Sequence, residues 1–186
     1  MLSSEAPHMK CMIEVKERVQ VGAMCAALHR LYVERPWMYA RCFVAAFNPL
    51  VLYTLRQRDE RIVTSFLFIN DFTANLLRNA DEMRIAVPVW FRHNAPLRCL
   101  IDDAIWWLGT NPRGLRILGA SLSACECKAL TENQIRRDRE NGIVTSTWVV
   151  NNQHQKEWLL QLGVTVITDL QFTGGTPSAS PRPQLL

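Results

Sequence analysis

Glu14 and Lys16 are the charged residues whose types and spacing in this sequence most directly suggest chemistry. They belong to MIEVK, residues 12–16, a short apolar run typical of a strand. Because strand side chains alternate, both charges share one face, while Ile13 and Val15 occupy the other. On an enclosed face the carboxylate could bind a hard cation such as Mg²⁺ or Ca²⁺, and the ammonium a phosphate. An exposed edge strand whose charges oppose aggregation is the alternative interpretation.

A second candidate group lies in TSTWVVNNQHQKEWLLQLGVTVITD, residues 145–169, whose pattern predicts a strand, a helix and a second, parallel strand. Trp148 and Asn151 fall at the carboxyl end of the first of these strands, where barrel loops build active sites. The Trp148 indole can pack on a polyol or sugar-like substrate, and the Asn151 amide can donate and accept hydrogen bonds. Core packing for Trp148 and helix capping for Asn151 are the alternatives. Asp169 could likewise be a ligand, with a turn-forming or capping role as its alternative.

The elements that would position these residues alternate between strand and helix. Strands are predicted at residues 11–15, 41–47, 61–68, 115–121, 143–150 and 164–168. Helices are predicted at residues 19–34, 49–58, 97–108 and 127–141, and again after Asn152. This alternation indicates the α/β class, as an open doubly wound sheet or as part of a (β/α) barrel. No glycine-rich phosphate loop follows any predicted strand, which disfavours a nucleotide-binding version.

Length and composition predict a single globular domain. The 186 residues suffice for one domain with a substantial core, expected at residues 11–172 after an N-terminal segment of residues 1–10. Residues 173–186, rich in Gly, Pro and Ser, are predicted to be a disordered tail. The net charge of +4 is mild, and basic residues do not interleave with aromatics, so no nucleic-acid binding is predicted. Neither a signal peptide nor a run of roughly 18 apolar residues is present, which leaves a cytoplasmic or membrane-associated location open.

Six cysteines occur in the sequence, at positions 11, 25, 42, 99, 125 and 127. Without a secretory signal or a CxxC pair, they are predicted to be reduced thiols. Cys125 and Cys127 have no histidine nearby and therefore make a poor zinc site, so ordinary semi-buried cysteines are predicted there.

Four segments, in order along residues 11–169, resemble the glycerophosphodiester phosphodiesterase family. MIEVK looks like that family's Ile-Glu-x-Lys strand, and AAFNPLVLYTLRQRD looks like its Ser-Phe-x-Pro segment with the following Leu-x-x-Arg helix. TWVVN is similar to its Trp-Thr-Val-Asn strand, and LGVTVITD is similar to its Gly-Val-Asp-x-Ile-x-Thr-Asp ending. The long middle, with LIDDAIWWLG, is most similar in character to the membrane-associated animal branch.

The resemblance implies a TIM-type barrel that hydrolyses glycerophosphodiesters to glycerol 3-phosphate and an alcohol, using a divalent cation such as Mg²⁺ or Ca²⁺. Carried over by position, Glu14 would be a metal ligand and Lys16 a phosphate contact. Phe47 and Trp148 would line the substrate pocket, and Asn151 would shape its rim. The implied substrate is a glycerophosphodiester or a lysophospholipid-like molecule.

The chain departs from the family pattern in the residues that perform acid–base chemistry. The family's His-Arg-Gly strand, acidic pair and second histidine precede the Ile-Glu-x-Lys strand, and only ten residues precede Cys11. The four histidines of this chain, at positions 8, 29, 93 and 154, lie outside those contexts, so no catalytic residue is assigned. Val149 also stands where the family has Thr. A lone Glu14 would bind a cation weakly, because such sites use several oxygens.

Strand number predicts an incomplete barrel. A barrel of this type has eight strands in about 250 residues, and six are predicted here, so the first two are expected to be missing. We therefore expect little or no phosphodiesterase activity, poor folding of the chain alone and self-association through open strand edges. A non-catalytic binding or regulatory module, or a membrane-surface protein, is the alternative function. Trp106 and Trp107 beside apolar residues fit a lipid interface, whereas burial of both is the competing interpretation.

Overall fold

Six parallel strands, each joined to the next by one or more helices, make up the fold. The computed structural model of the chain describes residues 10–16, 20–80 and 86–168. The strands are β1 (Cys11–Val15), β2 (Cys42–Ala46), β3 (Thr64–Phe68), β4 (Leu122–Glu126), β5 (Val144–Trp148) and β6 (Thr165–Val166). The helices are α1 (Val21–Glu34), α2 (Met38–Arg41), α3 (Pro49–Arg58), α4 (Phe72–Arg78), α5 (Val89–His93), α6 (Ala95–Thr110), α7 (Pro112–Leu118), α8 (Glu132–Glu140) and α9 (Gln153–Gln161). The predictions for residues 1–9, for Asp169 and for the tail at 173–186 lie outside the described residues.

Strand order distinguishes the two architectures that the sequence leaves open. The strands pair in chain order from β1 to β6, and every pair is parallel. A doubly wound sheet reverses its order at a switch point, and the described strands show no reversal. Strands in sequence order that curl into a half-barrel, with helices outside, confirm the α/β class and the incomplete TIM-type barrel.

The two faces of the sheet differ in what covers them. Outward-facing Val44, Phe66 and Cys125 pack against helical residues in the main hydrophobic cluster. These helical partners include Leu28, Tyr32, Leu52, Leu55, Leu115, Ile135, Trp158 and Leu159. The opposite face carries a separate, smaller cluster built from strand and loop residues. The helix-covered face therefore supplies the core, and the inner face remains available to a ligand.

Asparagine caps begin four of the helices. The side chains of Asn48 and Asn152 accept hydrogen bonds from the Leu50 and Gln155 backbone N–H groups, at 3.0 and 3.1 Å. Asn94 and Asn111 cap α6 and α7 in the same way. In α3, α6 and α7 a proline follows the cap within two positions, and its fixed φ suits the first turn of a helix. The caps of α3 and α9 fix where the loops after β2 and β5 turn away from the sheet.

The strand predicted at residues 115–121 is wrong. Residues 112–118 form α7, which the Asn111 cap begins and Gly119 ends in the left-handed conformation, at φ 69°. The fourth strand begins at Leu122 instead. The apolar alternation of LRILGAS imitates a strand, but the Asn-Pro start and the Gly stop are the stronger local signals. The first predicted strand is confirmed at its bounds, and the other four are confirmed with shifted ends.

No helix among the described residues is long and apolar enough to cross a membrane.

Candidate functional site

The inner face holds a compact group of side chains, here called the inner cluster. Ala45, Leu67 and Ala124 form its buried centre. The partly buried members around them are Met12, Phe43, Phe47 and Trp148. Small residues at two of the three central positions leave room for large rings above them. The inner cluster is therefore an apolar surface that reaches, through Phe47 and Trp148, the carboxyl ends of β2 and β5, where barrel proteins bind ligands.

Phe47 and Trp148 meet across the inner face. Their ring centroids lie 5.9 Å apart at an interplanar angle of 80°, an edge-to-face contact. The Trp148 indole Nε1–H donates to the Ala124 carbonyl at 3.4 Å. Phe47 follows β2 and Trp148 ends β5, so a flat sheet would separate them by about 14 Å. The curl of the half-barrel thus brings together two residues that the sequence analysis assigned to one pocket.

Glu14 and Lys16 pair with each other at the open edge of the sheet. The Lys16 Nζ lies 3.5 Å from Glu14 Oε1, and their side chains are 76% and 32% exposed. Glu14 is the register partner of Ala45, and therefore faces the inner side with it. An ion pair this exposed contributes little to stability. The pair is accessible to an anion at the rim, and its metal-binding and phosphate-binding roles remain predictions.

A divalent cation does not fit the donors that the described residues provide. No group of three or more His, Cys, Asp or Glu side chains in the described ranges could hold a metal ion. Glu14 contributes one carboxylate, which already faces Lys16. Sites for Mg²⁺ and Ca²⁺ combine several oxygens. The predicted cation would therefore require ligands beyond those that these strands bring together.

Asn151 lies in the loop between β5 and α9, and the helix-capping role considered for it belongs to Asn152. Asn152 caps α9, with its side chain accepting from the Gln155 N–H at 3.1 Å. Asn151 is exposed, and its Oδ1 accepts a hydrogen bond from Thr168 Oγ1 at 3.5 Å. That contact joins the loop after β5 to the segment after β6. The Asn151 amide is thus positioned beside the carboxyl ends of the last two strands.

Backbone strain marks the residue after Trp148. Val149 has φ 62°, a left-handed conformation that a β-branched side chain rarely adopts, and it is 55% exposed. Such a conformation costs on the order of 1–3 kcal/mol and persists only where the surrounding structure imposes it. Here β5 fixes Trp148 on one side, and the burial of Val150 fixes the other.

Replacing Val149 with glycine is expected to leave the free energy of unfolding unchanged or raise it by about 1 kcal/mol, because glycine adopts positive φ without strain. Val144→Gly is the matched control, since Val144 is a similarly exposed valine with extended geometry at the start of β5, the strand that Val149 follows. The control should lose about 1 kcal/mol. Urea denaturation of both variants measures the difference, and an equal loss in both would contradict the strain.

Glu126 is a carboxylate of the inner face that the sequence patterns do not predict as a site residue. This partly buried residue ends β4, shares the face of Ala124 and is the register partner of Trp148. A fourth strand at residues 115–121 and a helix at residues 127–141 leave Glu126 in the predicted loop between them. The alternation LSACE after Gly119 is the signal that identifies it.

The described histidines lie on helices and not on the strands that form the inner face. His29 is on α1, with Nε2 at 3.7 Å from Asp59 Oδ2 in the loop before β3, at the amino ends of the strands. Hydrogen bonds from Arg61 hold the pKa of Asp59 below its usual range, so this carboxylate has a structural partner. His93 on α5 and His154 on α9 are both exposed. None of these three histidines is a strand residue.

Comparison with known proteins identifies relatives of one kind. No protein-family model matches the chain. The chain is 25% identical over 157 residues to glycerophosphodiester phosphodiesterase 1 of Bos taurus, over 81% of this chain and 44% of that protein. The Rattus norvegicus protein of the same name is 23% identical over 159 residues, with 82% and 44% covered. The chain thus spans less than half the length of the curated relatives that it matches.

Solved structures share the fold. A glycerophosphodiester phosphodiesterase from Parabacteroides distasonis gives a TM-score of 0.54 at 16% identity, over 86% of this chain and 53% of that one. A Silicibacter pomeroyi structure, provisionally described as a glycerophosphoryl diester phosphodiesterase, gives 0.56 at 18% identity, over 86% and 47%. The family resemblance drawn from four sequence segments is therefore confirmed.

Proposed function

We propose that this chain, which resembles the glycerophosphodiester phosphodiesterases in sequence and fold, binds a glycerophosphodiester or lysophospholipid-like molecule and hydrolyses it weakly or not at all. The Phe47–Trp148 contact on the inner cluster is the observation that supports binding. It places an apolar wall at the carboxyl ends of the strands, where such a molecule would lie. A role in lipid metabolism follows from that substrate class.

Each residue of the site has a distinct part in this proposal. The rings of Phe47 and Trp148 cover the carbon skeleton of the glycerol or head group. The Lys16 ammonium, 76% exposed, attracts the phosphate and can leave its pairing with Glu14 to do so. Asn151 donates from its side-chain amide to hydroxyl groups at the rim. These contacts bind and orient the molecule without breaking its phosphodiester bond.

Weak hydrolysis is proposed because the described inner face has no proton-transferring pair. The described histidines lie elsewhere, and Glu14 and Glu126 are the carboxylates on the inner faces of β1 and β4. Glu14 lies in an ion pair with Lys16 at 3.5 Å. A general acid and base must both reach the scissile group within hydrogen-bonding distance. We therefore expect negligible turnover of glycerophosphocholine and glycerophosphoinositol with added Mg²⁺ or Ca²⁺, and robust metal-dependent hydrolysis would overturn this part of the proposal.

Replacing Trp148 with alanine is expected to weaken glycerophosphocholine binding by roughly tenfold, because an edge-to-face wall of the site is lost. Isothermal titration calorimetry measures the change. Trp107→Ala is the matched control, since Trp107 is an exposed tryptophan on α6, outside the inner cluster. Its affinity should equal that of the unmodified chain. Equal affinity in all three proteins would contradict binding at the inner cluster.

A membrane-surface function is the second candidate, and the exposed apolar residues of α5 and α6 favour it. Val89, Trp90 and Leu100 are 70%, 63% and 66% exposed, and Trp107 is 45% exposed. Trp106 instead packs edge-to-face on Phe68, with centroids 5.5 Å apart, so the two adjacent tryptophans have different environments. A row of exposed apolar side chains can enter a lipid interface. Flotation with anionic vesicles tests this candidate, and a chain that stays in the bottom fraction excludes it.

A further inference from the structure

Two thiols lie side by side on neighbouring strands at the edge of the sheet. Cys11 begins β1, Cys42 begins β2, and the two residues are register partners in the parallel ladder. Neighbouring strands are about 4.7–4.9 Å apart. Disulfide-bonded residues have Cα atoms about 4.4–6.8 Å apart, so the strand pairing alone provides the required separation.

The two side chains also point the same way. Register partners in a parallel pair share a face, and both cysteines pack with the helix-side cluster. The pKa of the buried Tyr32 hydroxyl on α1 is raised mainly by burial and also by the neighbouring thiols of Cys42 and Cys11. Both thiols therefore lie near that ring. Burial raises the pKa of the Cys42 thiol, and Cys11 raises it further as a hydrogen-bonding neighbour. The sulfur atoms are therefore in mutual reach while both cysteines are free.

We propose that Cys11 and Cys42 are a redox modification site, which closes to a reversible disulfide that fastens β1 to β2. The oxidant is a low-molecular-weight disulfide of the glutathione class. The Cys11 thiolate attacks one of its sulfurs, a mixed disulfide forms, and one thiol leaves. The Cys42 thiolate then attacks the Cys11 sulfur and releases the second thiol. Two protein thiols and one small disulfide thus become one protein disulfide and two small thiols.

The difference in exposure assigns the order of these steps. Cys11 is partly exposed on the edge strand, whereas Cys42 is only 5% exposed. The small disulfide reaches Cys11 first, and the sheltered Cys42 resolves the mixed disulfide. Exposed Cys99 on α6 has no register partner and stops at the mixed disulfide.

Closure of this disulfide would restrain the strand that carries Glu14 and Lys16. Among the described strands, β1 pairs with β2 alone, and its other edge is open. Strands held on one side open more readily than central strands do. A covalent link between Cys11 and Cys42 would keep β1 from separating from β2, at a position three residues before Glu14. Oxidation of the two cysteines would thereby reduce the mobility of β1 and of the Glu14–Lys16 pair at its carboxyl end.

Peptide mapping tests the proposal on the unmodified chain. Trypsin releases CMIEVK, residues 11–16, and CFVAAFNPLVLYTLR, residues 42–56, and each contains one cysteine. After oxidised glutathione is added to the folded chain, the non-reduced digest should contain these two peptides joined, and dithiothreitol should separate them. Thermal unfolding of the oxidised chain should shift upward by roughly 5–10 °C.

Two variants distinguish this site from general thiol reactivity. Cys42→Ser should trap glutathione on Cys11, whereas Cys11→Ser should leave Cys42 unmodified because it is buried. Glutathione on Cys99 in every sample shows that the reagent acted. Absence of the joined peptide from the unmodified chain, with Cys99 modified, overturns the proposal. That measurement does not depend on either variant folding.

Discussion

Replacing Gly109 with alanine is expected to lower the free energy of unfolding by about 2–3 kcal/mol, and the melting temperature by roughly 5–10 °C. A Cβ at this position of α6 would overlap two ring carbons of Phe68. That ring is fully buried, stacks on Phe66 at 5.8 Å and packs against Trp106 at 5.5 Å. Since no neighbour can move aside easily, α6 must withdraw from β3 to accommodate one methyl group.

Gly22→Ala is the matched control for this prediction. Gly22 also lies in a helix, α1, but a Cβ there would meet nothing within 4 Å. Alanine loses less backbone entropy on folding, so the control should be unchanged or more stable by about 0.5–1 kcal/mol. Chemical denaturation of both variants measures the pair. Equal stabilities for the two variants would show that α6 does not pack as closely on Phe68 as the structure indicates.

Replacing Asp138 with asparagine is expected to stabilise the chain at pH 7 by about 2 kcal/mol. Asp138 is fully buried on α8, where its Oδ2 accepts from Thr145 Oγ1 at 3.2 Å and its Oδ1 has no hydrogen-bond partner. Burial raises the pKa of this carboxyl from 3.8 to about 6, against the opposing hydrogen bond from Thr145. A shift of this size corresponds to about 3 kcal/mol, and burial of the new amide offsets about 1 kcal/mol of it.

The pH dependence has a definite sign. Because the folded state holds the Asp138 proton more tightly, this carboxyl's contribution to stability is fully present below about pH 4. It is lost as the pH rises through about 6. Unfolding experiments from pH 3 to 8 should therefore show the variant slightly less stable than the unmodified chain at the acidic end, gaining relative stability between about pH 4 and 6, and holding a constant advantage at higher pH. Asp103→Asn, at an exposed position on α6, is the control and should change little at any pH. A variant less stable than the unmodified chain at pH 7 would contradict the prediction.

Local residue patterns were sufficient to predict most of the elements of this fold. β1 is predicted at its observed bounds, and the Asn48-Pro49 start of α3 is confirmed by the Leu50 N–H bond to Asn48. These features depend on residues within one turn or one strand of each other, so they are readable along the chain. The predicted position of the fourth strand was wrong because LRILG alternates like a strand. The Asn before this segment and the Gly at its end instead act as the start and stop signals of a helix.

The candidate site was predicted in its parts and not in its arrangement. Strand alternation placed Glu14 and Lys16 on one face, and the structure brings their charges to 3.5 Å of each other. The contact between Phe47 and Trp148 could not be derived from spacing, since 101 positions separate them and the sheet must curl to bring them together. The assignment of one pocket to both residues came from the family resemblance instead.

Hydrophobic period, caps and turn residues act over a few neighbouring positions, so the amino-acid order is enough to establish the strands, the helices and the α/β class. The pairing of β1 with β2, the single helix-covered face and the alignment of Cys11 with Cys42 depend on contacts between residues far apart in the chain. Such contacts depend on how the whole sheet twists and packs. The same is true of Phe68 in β3 and Gly109 in α6, which are 41 positions apart in the chain. Their packing leaves no space for a methyl group at Gly109.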